Sequence, residues 1–248
     1  MKEWEGPFMT SSPRKIWAGF ASGFLCAATG LFLPTAGLSD DTGFYGGITG
    51  QAVSVEKIGH GGSAGLGGLP GLIITTEYDL GYGALASLGY DFPGGFRAEL
   101  EGGYRRSEVD HLVISSDGGL GNAIGVGSLD GLSIEGNGNA EALSGMVNVY
   151  YDHDMGGGFA PYLMGGAGFA RISNKMAIFG TILVDDHDVV PAWQFGLGAG
   201  YALTDRVTVS GGYRYFAATE TEIQDAAGNA INGEYVSHSF EFGIRVSF

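Results

Sequence analysis

The sequence predicts an all-β chain: an eight-stranded antiparallel up-and-down transmembrane β-barrel, preceded by a cleavable signal peptide. Three observations carry that prediction. Apolar and polar residues alternate with period two in segment after segment, the mark of strands with two unlike faces. The connections between these segments are alternately short and long. The N-terminus shows basic, apolar and small-residue stretches in the order of an export signal. Composition agrees. Glycine supplies 47 of 248 residues, far above the usual share of about 7%. It comes with 12 Tyr, 15 Phe and 3 Trp, so this is not a flexible linker. There is no G-X-Y period, which removes collagen. A 44% hydrophobic content is too high for a disordered chain. A net charge of −15 argues against nucleic acid as a partner. A single cysteine excludes a disulfide framework and a Cys-rich zinc site.

The first 15 residues end in Arg14-Lys15, and residues 16–33 follow without a charge. Pro34-Thr35-Ala36-Gly37 then supplies a helix breaker and small residues. This order reads as a signal peptide over 1–37, cleaved before Leu38, with Met1 or Met9 as the start. The alternative is an uncleaved anchor, although 18 residues sit at the lower edge of a spanning helix. Phe24-Leu25 precede Cys26, where lipidation would want a small residue.

Residues 38–248 then read as strands. The first spans Gly43–Val55, marked by Phe44 and Ile48 among glycines. In 80–92, Leu80, Tyr82, Ala84, Ala86, Leu88, Tyr90 and Phe92 alternate with Gly81, Gly83, Leu85, Ser87, Gly89 and Asp91. In 96–105, Phe96, Ala98, Leu100, Gly102 and Tyr104 alternate with Arg97, Glu99, Glu101, Gly103 and Arg105. Leu143, Val147, Val149 and Tyr151 oppose Ser144, Met146, Asn148, Tyr150 and Asp152. Residues 159–173 form a fifth strand whose glycines leave its faces unassigned. Trp193, Phe195, Leu197 and Tyr201 mark the sixth, and Val207, Val209, Tyr213 and Tyr215 the seventh. The eighth runs from Val236 through His238, Phe240, Phe242, Ile244 and Val246 to Phe248. No apolar run of about 20 residues follows the signal, so no further spanning helix is expected.

Connections at 91–95, 152–158 and 204–206 are short. Those at about 57–77, 107–137, 174–190 and 217–234 are long. This alternation fits a barrel with short periplasmic turns, four long surface loops and both mature termini on the periplasmic side. Alternation alone does not say which face is inside. The glycine- and serine-rich polar face suits a narrow eight-stranded interior. The aromatics ending the apolar face, Tyr90, Phe92, Tyr104, Tyr151 and Tyr201, suit membrane girdles.

The last eight residues, Glu241-Phe242-Gly243-Ile244-Arg245-Val246-Ser247-Phe248, run polar, x, Gly, x, x, apolar, x, apolar. They resemble the C-terminal assembly signal of bacterial outer-membrane proteins, with Gly243, Val246 and Phe248 at its key positions. With Gly43-Phe44-Tyr45-Gly46-Gly47, Pro161-Tyr162-Leu163-Met164-Gly165-Gly166-Ala167-Gly168 and Gly212-Tyr213-Arg214-Tyr215, nearly all of 38–248 resembles the eight-stranded outer-membrane proteins of the opacity-adhesin, OmpA-barrel and rickettsial major-surface-antigen type, a porin-like family. The resemblance implies a Gram-negative outer membrane, lipid and the barrel-assembly machinery as partners, and a surface-exposed role; it does not imply a catalytic site, and no enzyme is expected.

Inward-facing charges are the first candidate site: Arg97, Glu99, Glu101, Arg105, Arg214, Glu241 and Arg245. An unpaired buried charge would cost about 3–5 kcal/mol, so a structural ion-pair network filling the lumen is expected over a gated ion path. The long loops are acidic. Asp185, Asp186 and Asp188, beside His187, form their densest cluster, with the oxygen ligands that calcium or magnesium would need. They match no standard calcium loop, and solvation explains them without a metal. Asp152-His153-Asp154 reads as turn chemistry. Glycine clusters at 59–68 and 118–127 lack the residues of a phosphate loop. Ser237-His238-Ser239-Glu241 is the one tempting catalytic group, but strand geometry sets His238 on the opposite face from the other three. The expected function is structural or surface display, adhesin- or antigen-like, with an unidentified host or extracellular ligand at the loops and no cofactor. A small porin is the alternative, and a lipid-modifying enzyme the third class.

Overall fold

The computed structural model describes residues 42–56, 58–60, 72–116, 131–135, 137–178, 181–224 and 230–248. The expected signal segment 1–37 and the glycine cluster at 118–127 lie outside the described residues, as does most of the cluster at 59–68. Every described regular element is a β-strand: β1 Gly43–Val55, β2 Ile58–His60, β3 Leu72–Tyr78, β4 Gly81–Asp91, β5 Phe96–Ser116, β6 Leu132–Glu135, β7 Asn137–Asp152, β8 Phe159–Ile178, β9 Thr181–Ala202, β10 Val207–Gln224 and β11 Ala230–Ser247.

All ladders are antiparallel, and eight strands close a ring: β1, β4, β5, β7, β8, β9, β10, β11 and back to β1. Closure joins the first strand to the last, from Tyr45 opposite Ser247 to Val55 opposite Ser237. A closed ring satisfies every backbone group without water, the condition for crossing a bilayer with strands. The remaining short strands lengthen the wall at one end. β3 pairs with the distal part of β5, β6 with β5 again, and β2 with β3.

At the other end the turns are tight. Phe92 N donates to Phe96 O at 2.8 Å, across a turn in which Gly94 and Gly95 take φ of 87° and 81°, a region that favours glycine. Asp154 Oδ1 accepts from Gly156 N at 2.8 Å, and Thr204 Oγ1 accepts from Val207 N at 3.0 Å. The short connections therefore fall where the sequence puts them.

The long ones differ from expectation. Residues 174–190 and 217–234, read as loops, are for most of their length paired hairpin arms. The β8–β9 ladder continues to Ile178 opposite Thr181, and the β10–β11 ladder to Gln224 opposite Ala230. The physical reason is lack of contrast. Residues 219–222 read Thr-Glu-Thr-Glu with no apolar stripe, although Thr, Val and Ile favour strands.

The two faces are as the alternation predicts. Ile48, Leu88, Leu100, Val147, Leu163, Leu197, Phe242 and Ile244 are exposed on the outside. Register sets Leu88 beside Leu100 and Leu100 beside Val147. Aromatic pairs border this band near the tight turns, Phe44–Tyr90 at 4.9 Å and Phe96–Tyr151 at 5.1 Å between centroids. Trp193–Tyr215, at 5.1 Å, lies toward the arms. An apolar exterior around a charged interior is the inverse of a soluble barrel. The faces of β8 now resolve: Tyr162, Met164, Ala170 and Ile172 are buried inside, and Leu163 and Phe169 lie outside.

Inside, glycine makes room for tyrosine. A Cβ on Gly89 would collide with the ring of Tyr45, and one on Gly198 would lie 2.6 Å from the Tyr162 ring.

Candidate functional site in the barrel lumen

The lumen is layered. Nearest the tight turns, Arg97 forms a bidentate pair with Asp152, Nε to Oδ2 at 2.5 Å and Nη2 to Oδ1 at 3.3 Å. Its guanidinium lies 3.8 Å from the Tyr150 ring centroid. Glu99 accepts from the Tyr45 and Tyr150 hydroxyls at 3.0 and 3.2 Å. Arg245 lies 3.5 Å from Asp91 and over the Tyr45 ring at 5.0 Å.

The next layer centres on Arg214. Its Nε donates to Glu241 Oε2 and its Nη1 to Glu101 Oε2, both at 2.8 Å. Neutral groups complete the two carboxylates. Gln51 and Tyr162 donate to Glu241 at 3.1 and 3.4 Å. Asn148 and Gln194 donate to Glu101 at 3.2 and 3.1 Å. Charge-assisted bonds of this kind are the stronger ones, and a low-dielectric interior strengthens them further.

Arg105 stands apart. It is fully buried, yet its partners are neutral: Ser144 Oγ at 3.1 Å, Gln194 Oε1 at 3.5 Å and the face of Phe216 at 4.3 Å. Toward the arms, an apolar cluster that includes Val53, Val55, Met146, Ile172, Phe216 and Tyr235 fills the interior, each residue no more than 7% exposed. A cavity of about 990 Å³ opens at the tight-turn end, with Arg97, Asp152 and Arg245 on its walls and Arg214, Glu101 and Glu241 along its lining. It therefore ends against the Arg214 layer and the buried cluster.

All seven charges picked from the sequence face the lumen. Six form ion pairs there, whereas Arg105 takes no part in the ion pairs among the described residues. The sequence reading missed Asp91 and Asp152 as partners. Asp152, assigned to turn chemistry, belongs to β7 and holds Arg97, while Asp154 makes the turn bond. It also missed Tyr45, Gln51, Asn148, Tyr150 and Gln194. Each lies in the inward phase of its own strand and is buried.

Outside, His238 Nδ1 meets the Tyr213 hydroxyl and Nε2 lies 2.8 Å from Glu56 Oε1. Ser237 and Ser239 are buried inside, so the group considered for catalysis is divided between two faces. The side chains of Asp185 and Asp186 lie outside the described residues. Asp188 Oδ1 accepts from Val189 N at 2.7 Å. Among the described residues, no three His, Cys, Asp or Glu side chains gather to hold a metal.

The sequence profile for the outer membrane protein beta-barrel domain matches residues 23–248. The chain belongs to that family. It is 28% identical over 149 residues to the outer membrane protein PagN of Salmonella typhimurium, covering 57% of this chain. The match spans 59% of the length of that relative. Among solved structures, OprG of Pseudomonas aeruginosa superposes with a TM-score of 0.51 at 16% identity, covering 83% of this chain and 97% of OprG. The outer membrane protease OmpT of Escherichia coli gives 0.50 at 10% identity, covering 86% of this chain and 99% of OmpT. At these identities the two structures show a shared fold. As a member of the outer-membrane β-barrel family, the protein resides in the bacterial outer membrane with its apolar belt in lipid.

Proposed function

We propose that the barrel is a surface-display protein, adhesin- or antigen-like, whose lumen is plugged on the arm side and whose arms carry recognition. The plugged lumen is the observation that supports this reading best. Arg105, Asn148, Gln194, Ile172 and Phe216 are all removed from solvent, so the interior serves stability while the long connections, rich in acidic residues, are left for recognition. In this reading the arms face outward and the tight turns face the periplasm. The assembly machinery reads Gly243, Val246 and Phe248 during insertion. The inward charges act as a structural network that fixes the strands around a narrow bore.

The test pairs two measurements. Purified barrel in planar bilayers should give no steady single-channel steps, and protease added to intact cells should cut within the arms. Steady steps abolished by a lumen blocker would replace display with the small-porin reading. Resistance of the arms on intact cells, with cleavage only after lysis, would reverse the orientation. Release of product from labelled lipid A, lost in His238→Ala, would establish the enzymatic class instead.

A further inference from the structure

One ion pair on the wall of the tight-turn cavity differs from the others. Arg245 Nη1 lies 3.5 Å from Asp91 Oδ1, yet neither Nη1 nor Nε of Arg245 has a hydrogen-bond partner among the described residues. By contrast, Arg97 holds Asp152 through two bonds, and Arg214 reaches Glu101 and Glu241 at 2.8 Å. Access differs as well. The side chains of Arg214 and Glu101 are 3% and 2% exposed, whereas those of Arg245 and Asp91 are 24% and 22% exposed and both line the cavity. A withdrawn ion pair is favourable only when further hydrogen bonds complete it. This pair leaves its hydrogen-bonding capacity unspent.

The wall around it is shaped as a cradle. The Tyr45 ring lies 5.0 Å from the Arg245 guanidinium and supports it from one side. Gly47 stands opposite Arg245 on β1, and Gly243 faces Thr49 on β1 and Ser210 on β10. A Cβ on Gly47 would lie 2.9 Å from Ser87 Oγ. One on Gly243 would lie 2.7 Å from Thr49 Oγ1 and 2.9 Å from Ser210 Oγ. The two glycines therefore let three hydroxyls, from β1, β4 and β10, lean in beside Arg245, and all three line the cavity.

Charge selects the occupant. The other lumen carboxylates are already answered: Asp152 by Arg97, Glu99 by the Tyr45 and Tyr150 hydroxyls, and Glu101 and Glu241 by Arg214. A simple anion on Arg245 would strand Asp91, and a simple cation on Asp91 would strand Arg245. Either leaves a half-buried charge unpaired. A molecule with an ammonium and a carboxylate on one carbon answers both at once and adds no net charge. We infer that Arg245 and Asp91 form a binding site for a free α-amino acid. Its carboxylate meets Arg245 and the hydroxyls of Thr49, Ser87 and Ser210, and its ammonium meets Asp91. The cavity, about 990 Å³, is of the size that small-molecule sites have and leaves room for the ligand's side chain. The site lies at the opposite end from the arms and stands whether or not the arms carry recognition.

Radiolabelled glycine is the probe, with the barrel refolded in vitro and held in lipid nanodiscs. Saturable binding is expected, together with a shift of the Arg245 Nε–H resonance. Acetate and methylammonium carry one charge each and should bind at least about tenfold more weakly than glycine, the loss of one charge-assisted bond. The double variant Asp91→Asn/Arg245→Gln strands no lumen charge, so it should fold, as heat-modifiability checks, and should lose glycine binding. Ser87→Val keeps both charges but crowds the cradle, and it should weaken glycine severalfold. Acetate or methylammonium bound as tightly as glycine would make this a simple ion site and overturn the amino-acid assignment. So would the absence of saturable binding, or undiminished binding to the folded double variant or to Ser87→Val.

Discussion

Arg214 and Arg105 are both withdrawn from water, and their replacement should have very different consequences. Arg214 answers two buried carboxylates at 2.8 Å. Arg214→Met would strand Glu101 and Glu241 in the lumen and should cost about 3–5 kcal/mol in equilibrium unfolding. Arg105 answers no carboxylate among the described ion pairs, so Arg105→Met removes a desolvated cation and should change stability by less than about 1 kcal/mol. Similar losses in both variants would mean that the lumen charges act as one unit and not as separate pairs. A second contrast concerns space. Gly198→Ala forces a methyl against the Tyr162 ring and should cost about 1–3 kcal/mol. Tyr162→Leu in the same chain should recover part of that loss, a coupling that a double-mutant cycle reads directly. The seven mid-strand charges of the lumen were legible in the sequence because charge on a strand face is conspicuous. Gln51, Asn148 and Gln194 were not, since a neutral amide is as common on a solvated face as in a buried network. Asp152 was misread because aspartate at a strand end suits a turn and an arginine partner equally well.

Neighbouring residues on one strand test the faces of each element. Leu88 is 66% exposed and Val147 is 55% exposed on the outer side, so Leu88→Arg and Val147→Arg should each cost about 2–4 kcal/mol in lipid. Ser87 lines the polar cavity, and Ser87→Arg should cost clearly less than Leu88→Arg. Refolding titrations into vesicles would compare them, and equal costs would mean a register slipped by one residue. Within the membrane band the strands were readable because lipid and lumen impose opposite demands on successive side chains. Two regions escaped that logic. Gly165-Gly166-Ala167-Gly168 on β8 has too little side chain to declare a face. The distal halves of β8 to β11 carry a polar sequence pattern that resembles a loop even where the backbone is paired.

For the molecule as a whole, a closed barrel in a membrane predicts a simple signature. On a cold gel the unboiled protein should migrate differently from the boiled form and co-fractionate with outer membranes. A soluble protein without a mobility shift would return the exposed apolar band to the status of a core and remove the membrane reading. The order of assembly follows from the same closure. Gln51 meets Glu241 across 190 positions of sequence and Arg214 meets Glu101 across 113, whereas each hairpin is made from adjacent chain. Loop-closure entropy delays distant contacts, so hairpins should form early and the β1–β11 seam last. Until the seam closes, Glu241 lacks Gln51. The glutamine bond is therefore a timestamp: a probe at Gln51 would report the final moment of insertion, separately from the earlier growth of the sheet.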